Sequence, residues 1–282
     1  MGVVSSGERG KTGEPTRDDR VLRATRWSGY VITPVLFLAF VTLYGAPDAT
    51  ELYFAWPISP DLTPLLMGAG YGAGVYFFYR VVTVGRWHRV HVLFPGIAVF
   101  TLAMAVATSL HWDAFTHGHV STWLWLISLR GDAAAHPGAL DRQRSHRSRT
   151  PAPGTAEVPA VVRWASGAVG AVLTAILFVL FVFPEPMIEG WPWAVSPLTT
   201  RVLLGWAAVF GVVSLYFAFE SRWSAAKIPI ESLVIWFGLL LIGFARSWGD
   251  VDPTNPILWF LLGGIAVYLV GLSTLYVLME RR

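Results

Sequence analysis

The chain has 282 residues, of which 54% are hydrophobic and only 14% are charged. Soluble domains carry about 25% charged residues, so this deficit excludes an ordinary soluble fold and indicates a membrane protein. The net charge of +3 is too small to indicate nucleic-acid binding, and a sequence without cysteine excludes disulfides and thiolate metal sites.

The first 26 residues are polar and include six basic side chains, so we predict that residues 1–26 form a disordered cytoplasmic tail. They lack the short apolar core and the small-residue cleavage site of a secretory signal. The first membrane span is therefore expected to be an uncleaved anchor.

Seven apolar runs follow, and each is long enough to cross a bilayer, which takes roughly 20 residues. They are residues 27–46, 62–83, 92–110, 164–183, 202–219, 228–245 and 257–279. A further apolar run, residues 120–129, stops after ten residues. No stretch between the runs is long enough for a soluble domain, so the predicted fold is an all-α polytopic transmembrane helical bundle in contact with the lipid bilayer.

The basic residues predict the orientation, because Lys and Arg collect in cytoplasmic loops. Nineteen of the 21 lie on one side of the proposed spans, and only Arg201 and Arg246 lie on the other. Those two either extend to the membrane interface or form an external ion pair, for which Asp250 is the nearest acid in sequence. Both termini are predicted to be cytoplasmic in a multi-pass protein of the cell (plasma) membrane. This requires an even number of spans, so an eighth is expected between residues 111 and 149.

An internal repeat supports eight spans. Residues Trp56, Ser59, Pro60, Thr63, Leu66 and Gly68 recur 137 positions later as Trp193, Ser196, Pro197, Thr200, Leu203 and Gly205. With one residue lost, Arg86-Trp87 recurs as Arg222-Trp223. We predict two tandem parallel four-helix repeats, residues 27–142 and 163–282, joined by a basic cytoplasmic linker at 143–162. An even number of spans in each repeat implies a pseudo-two-fold axis along the membrane normal.

The fourth span of the first repeat is degraded or frame-shifted. The last span, residues 257–279, corresponds to about residues 120–142, where the chain instead carries Arg130, Asp132 and Asp141. Each charge at the bilayer centre costs about 2.5–3.5 kcal/mol. Either a short broken helix precedes a genuine basic loop, or two compensating frame slips flank residues 129–158.

Alternating glycines occupy residues 67–74, Met-Gly-Ala-Gly-Tyr-Gly-Ala-Gly, inside the second span. They follow no strand and miss the third glycine of a dinucleotide fingerprint, so a phosphate loop is disfavoured. Small residues four apart let membrane helices approach closely. The predicted packing positions are Gly68, Gly70, Gly72, Gly74, Gly205 and Gly211. Since the repeat keeps the Gly70/Gly74 face small, we expect leucine at those two positions to disrupt the bundle more than leucine at Gly72.

A polar cluster at residues 111–119 is the candidate metal site. It contains His111, Asp113, His117 and His119, on the predicted external side, and imidazole and carboxylate groups can bind zinc or copper. The alternative is an interfacial belt, because the second repeat keeps Trp248 but has no equivalent histidines.

The motif Ala55-Trp-Pro-Ile-Ser-Pro-Asp-Leu-Thr63, with His111-Trp-Asp-x-Phe115 and Trp123-Leu-Trp125, resembles uncharacterised multi-pass membrane proteins of high-GC Gram-positive bacteria. The similarity covers most of the chain outside the tail and residues 129–158. This resemblance implies a membrane helical bundle, and it implies no activity, because those proteins have none assigned.

The central parts of the seven runs contain no Asp, Glu, Lys, Arg or His, which argues against a pump or a charge-selective pore. No catalytic triad, metalloprotease motif or haem-binding pair occurs within them, so no enzyme and no cofactor are predicted. The favoured function is a non-catalytic accessory or scaffold component with a membrane-protein partner or a homo-oligomer. The alternative is a facilitator or transporter of a small neutral solute, using the interface between the repeats. A metal-dependent enzyme at residues 111–119 ranks third.

Resequencing the gene tests the frame-slip hypothesis. Leu129–Arg142, read one nucleotide later with GC-rich codons, can encode an apolar continuation of the fourth span. The hypothesis predicts two compensating slips, near Leu129 and before Val158. An unbroken read in the present frame would leave the short helix and basic loop as the explanation.

Overall fold

The computed structural model describes residues 19–131 and 156–282. The predicted tail up to residue 18, the anomalous segment 132–155 and most of the predicted basic linker lie outside the described residues. Within them the chain is helical, and the strand-like pairing recorded is two isolated antiparallel bridges, Arg20–Arg86 and Glu157–Arg222.

Ten α-helices occur in the described part of the chain, seven of them long. They are α1 (Arg23–Phe40), α2 (Thr50–Tyr53), α3 (Leu62–Val84), α4 (Phe94–Leu110), α5 (Val120–Gly131), α6 (Ala160–Val182), α7 (Glu185–Gly190), α8 (Pro197–Phe217), α9 (Trp223–Arg246) and α10 (Pro256–Glu280). Each of the seven predicted spans coincides with one of the long helices. Below, the first half means residues 19–131 and the second half means residues 156–282.

Six of the helical segments are long and apolar enough to cross a membrane. They are Arg23–Gly45, His91–Leu110, Ala160–Val182, Pro197–Phe217, Trp223–Arg246 and Pro256–Glu280. The first adds a π-helical turn to α1, and the second adds a 3-10 turn to α4. The all-α membrane bundle predicted from composition is thus confirmed at this level. The described part of helix α5 has 12 residues, which at 1.5 Å per residue cover about 18 Å, and the residues that follow it lie outside the described part of the chain.

Helix α3 is long but less apolar than the six. Its 23 residues measure about 34 Å at 1.5 Å per residue, which is a bilayer thickness. Glycines, tyrosines and Arg80 reduce its apolar content. The helix lies inside the bundle, with Leu62, Met67 and Val81 fully buried, so neighbouring helices rather than lipid surround most of it.

Helices α3 and α8 lie at the centre of the bundle. Helix α1 packs on α3, and α6 packs on α8 in the same way. The remaining contacts cross between the halves, because α9 packs on α3 and α4 packs on α8. Helix α10 packs on α9 at the outside of the second half.

Side-chain caps and proline position the helices of the second half. The Ser196 Oγ accepts a hydrogen bond from the Thr199 N–H at 3.2 Å, and Pro197 opens α8. The Asn255 side chain accepts from the Ile257 N–H at 2.9 Å, and Pro256 opens α10. Both arrangements satisfy helix N–H groups that would otherwise lack partners, at positions where proline loses no bond.

The six packing glycines lie at helix contacts of different tightness. A Cβ atom would stand 2.9 Å from Tyr44 at Gly68, 2.6 Å from the Trp206 ring at Gly70, and 2.9 Å from Leu239 at Gly72. At Gly74 it would stand 3.2 Å from the end of Leu36. In the second half, a Cβ atom would stand 2.3 Å from the end of Met104 at Gly205 and 2.8 Å from the Thr174 hydroxyl oxygen at Gly211.

The structure indicates a different order in how strongly a side chain added at each glycine would disturb the bundle from the order expected from the repeat. Gly70 faces a large rigid ring, whereas Gly74 faces the flexible end of one leucine. Gly72 faces both Leu239 and Phe40 within 3.0 Å, so it has less room than Gly74. The repeat indicates which positions stay small, but the rigidity of the neighbour decides what a side chain would cost.

We predict that Gly70→Ala destabilises the bundle by about 1–3 kcal/mol, because the added methyl group would overlap the Trp206 ring. Gly74→Ala should cost less than about 1 kcal/mol, since Leu36 can move. Thermal melts in one detergent measure both. Gly263→Ala is the matched control, because nothing lies within 4 Å of that site. Equal losses for Gly70 and Gly74 would contradict this order.

Candidate functional site between the two halves

Glu231 accepts hydrogen bonds from two neighbouring helices where α9 faces α3. The Arg80 Nη1 lies 2.8 Å from its Oε2, and the Tyr76 hydroxyl donates to the same oxygen. The Tyr276 hydroxyl of α10 donates to the Oε1 at 3.0 Å. One carboxylate therefore joins α3, α9 and α10 near the end of the bundle that carries most of the basic residues.

Glu220 forms a second, more deeply buried ion cluster at the same end. Its side chain is 3% exposed, in the turn between α8 and α9. Arg222 donates to it in bidentate fashion, with Nε–Oε1 at 2.8 Å and Nη2–Oε2 at 2.9 Å. The His91 Nε2 lies 3.1 Å from Oε2. Since the His91 Nδ1 also faces a carbonyl oxygen, of His88 at 3.0 Å, both ring nitrogens are positioned to donate.

The charge of Glu220 is stabilised by these donors. Burial alone raises the pKa of the carboxyl, but the hydrogen bonds from Arg222 and His91 outweigh burial and hold the pKa far below its usual value. The group is therefore a carboxylate at neutral pH. With its oxygens already engaged, the carboxylate serves to connect elements of the fold.

Both clusters cross from one half of the chain to the other. Arg80 and His91 belong to the first half, and Glu231 and Glu220 belong to the second. We call these four residues, with Arg222, the basic-end clamp. Removing one partner of a buried ion pair costs about 3–5 kcal/mol, because the other charge is left without compensation. The clamp thus fixes α3 against α9 and the start of α4 against the turn after α8.

Hydrogen bonds join the halves at the opposite end as well. The Asp250 Oδ2 accepts from the Leu62 N–H at 2.8 Å and so caps α3 from the other half. The Trp193 Nε1 donates to the Thr63 Oγ1 at 3.1 Å in the first turn of the same helix. We call these two hydrogen bonds the outer-end contacts.

The predicted metal ligands do not converge. His111 Nε2 lies 2.9 Å from the Arg201 Nη1, which can only donate, so this nitrogen accepts a hydrogen bond from Arg201 rather than binding a metal. Burial, followed by the charge of Arg201, lowers the pKa of His111. His117 packs on Trp112, and the His119 Nδ1 faces the Phe54 carbonyl at 3.3 Å. Across residues 19–131 and 156–282 no group of three His, Asp or Glu side chains could hold a metal, and Asp113 is exposed.

The two outer arginines bond to backbone and rings. Arg201 donates from Nε to the Phe181 carbonyl at 3.2 Å, in addition to His111. Arg246 donates to the Tyr44 carbonyl and lies over the Tyr44 ring, 5.2 Å from its centroid. These contacts bind each guanidinium at the membrane boundary, which matches interfacial anchoring better than an external ion pair with Asp250.

A cavity of about 110 Å³ lies between the halves. Aromatic and aliphatic side chains, including Trp206 and Trp236, form most of its wall. Its serines are engaged locally, because the Ser232 hydroxyl donates to the Ile228 carbonyl at 3.0 Å and the Ser128 hydroxyl donates to the Trp125 carbonyl at 2.7 Å. The cavity is thus small and mainly apolar.

The clamp was not identified from the sequence. Arg80 and Glu231 are 151 positions apart, and spacing cannot pair residues at that separation. One local signal was available: Glu220-Ser-Arg222 sets an acid beside an arginine at the end of a span. Such an acid, among predicted cytoplasmic arginines, is a candidate for a structural ion pair.

No protein-family model, curated protein or solved structure matches the chain. Its own contacts are therefore the basis for inferring function.

We predict that Glu220→Gln lowers the free energy of unfolding by about 3–5 kcal/mol at pH 7, because Arg222 loses its counter-charge and His91 loses its carboxylate partner. The exposed Glu189→Gln is the control, with an expected change below about 0.5 kcal/mol.

The stabilisation by Glu220 should also depend on pH. Because its folded pKa is depressed, the contribution is complete above the ordinary value of 4.5 and is lost as the pH falls below it. The difference in melting temperature between wild type and Glu220→Gln should therefore shrink between pH 5 and pH 3 (about one unit or more either side of that value). A difference that stays constant over this range would contradict the ion-pair interpretation.

Proposed function

We propose that this protein is a non-catalytic integral membrane scaffold or accessory component that works through helix contacts. One observation carries the proposal: the two halves are fixed to each other at three levels. The basic-end clamp joins them at one end, the outer-end contacts at the other, and Trp206 against Gly70 at the centre. A body joined in this way presents a constant outer surface to a partner.

That outer surface is extensive. Only 6% of the most apolar stretch of Pro256–Glu280 and 11% of that of Ala160–Val182 are buried inside the bundle. Single apolar residues facing lipid need no partner. Two long helices exposed over most of their length offer room both for lipid and for the helices of a membrane-protein partner or a second copy.

We also propose that the halves are tandem repeats, each of four spans. Three backbone hydrogen bonds of the first half have counterparts 136 or 137 positions later. They are Val21 N–H to Gly85 O (3.0 Å) with Val158 N–H to Ser221 O (2.8 Å), Trp87 N–H to Asp19 O (2.8 Å) with Trp223 N–H to Ala156 O (3.0 Å), and Thr116 N–H to Ala55 O (2.8 Å) with Asp252 N–H to Pro192 O (2.7 Å). Corresponding hydrogen bonds at a nearly constant sequence offset favour duplication over chance.

Side-chain contacts and helix packing of the first half also have counterparts in the second half. The Arg26 guanidinium donates to the Val82 carbonyl at 3.1 Å, and Arg163 approaches the Ala218 carbonyl at 3.5 Å. The contact of α9 with α3 mirrors that of α4 with α8, as a pseudo-two-fold axis along the membrane normal requires. In this arrangement α5 is the fourth span of the first repeat and α10 that of the second.

The topology belongs to the proposal. Eight spans place both termini on the side of the clamp, where 19 of the 21 basic residues are expected, and this side would be cytoplasmic in a plasma membrane. The resemblance to multi-pass proteins of high-GC Gram-positive bacteria agrees with this setting.

Affinity purification from native membranes tests the scaffold function. A tagged chain should retain a membrane-protein partner, or a second copy of itself, in fixed stoichiometry after gentle detergent extraction. A monomer without a partner that also catalyses solute uptake into vesicles would overturn the proposal.

A facilitator for a small neutral solute is the second candidate. The cavity between the halves, about 110 Å³, is the observation that favours it, together with Pro34 inside α1. Transport by rocking of one repeat against the other would require the clamp and the outer-end contacts to open in turn.

An engineered disulfide separates the two candidates. A Cβ at Gly243 of α9 would lie 3.4 Å from the Leu65 Cβ of α3, close to the separation of about 3.5–4.5 Å found in disulfides. The natural chain has no cysteine, so Leu65→Cys with Gly243→Cys should form a single cross-link on oxidation. Scaffold function predicts unchanged partner recovery in the oxidised protein. The Leu65→Cys single variant is the control. Solute uptake into vesicles that is lost only when the two helices are cross-linked would favour the rocking mechanism.

A further inference from the structure

An apolar groove of about 420 Å³ opens on the outside of the second half. Its two outer walls are α6 and α10, and its floor is formed by α8 and α9. Val161 on one wall is 80% exposed and Val267 on the other is 70% exposed, so the groove faces the surroundings of the bundle rather than its core. Since the walls belong to membrane-spanning helices, those surroundings are lipid.

The groove covers the depth of one leaflet. On α6 it runs from Val161 to Val169, and on α10 from Val267 to Leu275. Eight residues of helix rise about 12 Å, which approaches half of a hydrocarbon core roughly 30 Å thick. It lies in the half of the membrane next to the clamp, because Val161 opens α6 and Phe217, another lining residue, ends α8.

Arg163 stands at the end of the groove. It follows Val162, which lines the wall, and its Nη1 approaches the carbonyl of Ala218, next to Phe217 of the floor. Arginine carries five N–H donors, and this one contact is long, at 3.5 Å. The buried Nε of Arg163 has no hydrogen-bond partner among the described residues. Because Nε is buried, the terminal nitrogens Nη1 and Nη2 are the donors that Arg163 can offer an anion.

The neighbouring charges do not oppose an anion there. Lys227 lies near the floor on α9, and its Nζ donates to the Glu280 Oε2 at 2.6 Å. The same carboxylate accepts from the Trp223 Nε1 at 2.8 Å. Glu280 is therefore compensated, and Arg163 is a cation at the end of the groove, next to Val162 of its wall.

We propose that this groove binds one acyl chain of an anionic phospholipid from the basic-side leaflet, with the lipid phosphate on Arg163. The apolar walls match the chain, the length matches a leaflet, and a phosphate oxygen supplies the acceptor that the arginine lacks. This site needs only the membrane setting, so it holds whether the protein is a scaffold or a facilitator.

A partner helix fits the groove less well. Transmembrane helices pack along most of the bilayer thickness, about 30 Å, whereas this groove ends after about 12 Å. Its polar lining is limited to two serines and Tyr268, and one terminal cation suits a head group better than a helix surface.

Photolabelling in vesicles tests the proposal. The full-length protein is reconstituted in phosphatidylcholine vesicles with a trace of phosphatidylglycerol whose acyl chain carries a diazirine. Labelled peptides are expected from α6 and α10 around the groove. The same chain on a choline head group should label these peptides about fivefold less, the effect expected for one arginine near an anionic lipid.

Two matched pairs of variants identify the groove. Gly271→Leu adds a side chain to the α10 wall at a site with nothing within 4 Å, so it fills the groove without a clash and should abolish labelling. Gly263→Leu, equally open but outside the lining, should label as wild type. Arg163→Ala should remove the preference for the glycerol head group, and its counterpart Arg26→Ala should keep it.

Detergent melts first verify that all four variants are folded. Undiminished labelling of Gly271→Leu would overturn the site. Equal labelling by both probes in the wild type would overturn the role of the anionic head group. Capture of a protein instead of lipid by a photoreactive amino acid placed at position 271 would assign the groove to a partner helix.

Discussion

The close approach of α3 to its neighbours is the constraint on which the bundle depends. Lipid is as apolar as leucine, so helices in a membrane associate through packing and polar contacts rather than through the hydrophobic effect. Glycines at 68, 70 and 72 let Tyr44, Trp206 and Leu239 pack directly against the backbone of α3. The same lack of side chains makes α3 less apolar than the other long helices, and it therefore lies where protein surrounds it. Tight contact and central position have one cause.

Polar side chains form specific hydrogen bonds and ion pairs at the ends of the helices, and these bonds determine which helices lie next to each other. Arg80, Glu231, Tyr76 and Tyr276 form one cluster, and all four lie within two or three turns of the basic end. At the other end Asp250 caps a helix of the opposite half. An unpaired charge deeper in the membrane would cost several kcal/mol (about 2.5–3.5 even on the lenient scale). Glycine contacts therefore hold the middle of the bundle, and ion pairs and caps fix its ends.

The helices could be predicted from the sequence because each long apolar run has one physical solution, a helix that satisfies its own backbone. The boundaries were less exact, since the predicted span 202–219 begins five residues after Pro197, where α8 starts. The clamp could not be predicted, because it joins residues more than a hundred positions apart, and only the packing of α9 on α3 brings Glu231 to Arg80. The order among the glycines failed for a similar reason. Spacing shows that Gly70 and Gly74 share a face, but not that one meets a tryptophan ring and the other a mobile leucine.

The four predicted metal ligands lie apart in the structure for another reason. His111, Asp113, His117 and His119 are close in sequence, but the 3-10 turn at Trp112–Ala114 and the loop after it send the side chains in different directions. His111 reaches Arg201 of the other half, and His119 faces the chain near α2. Closeness in sequence is therefore not enough to bring four ligands to one point.

If the two halves are copies, their inner and outer surfaces have diverged differently. The inner surfaces keep paired features: α1 on α3 matches α6 on α8, and Arg26 on Val82 matches Arg163 on Ala218. The outer surfaces differ in the described residues, since α10 and α6 form a groove of about 420 Å³, whereas the space lined by α5 and α1 is about 60 Å³. Inner positions are constrained by contacts that both halves must satisfy at once, so a substitution there disturbs two interfaces. Outer positions face lipid and are free to change in one half alone. What distinguishes one half from the other, and with it the specificity for a lipid or a partner, is therefore expected on the faces of α6 and α10.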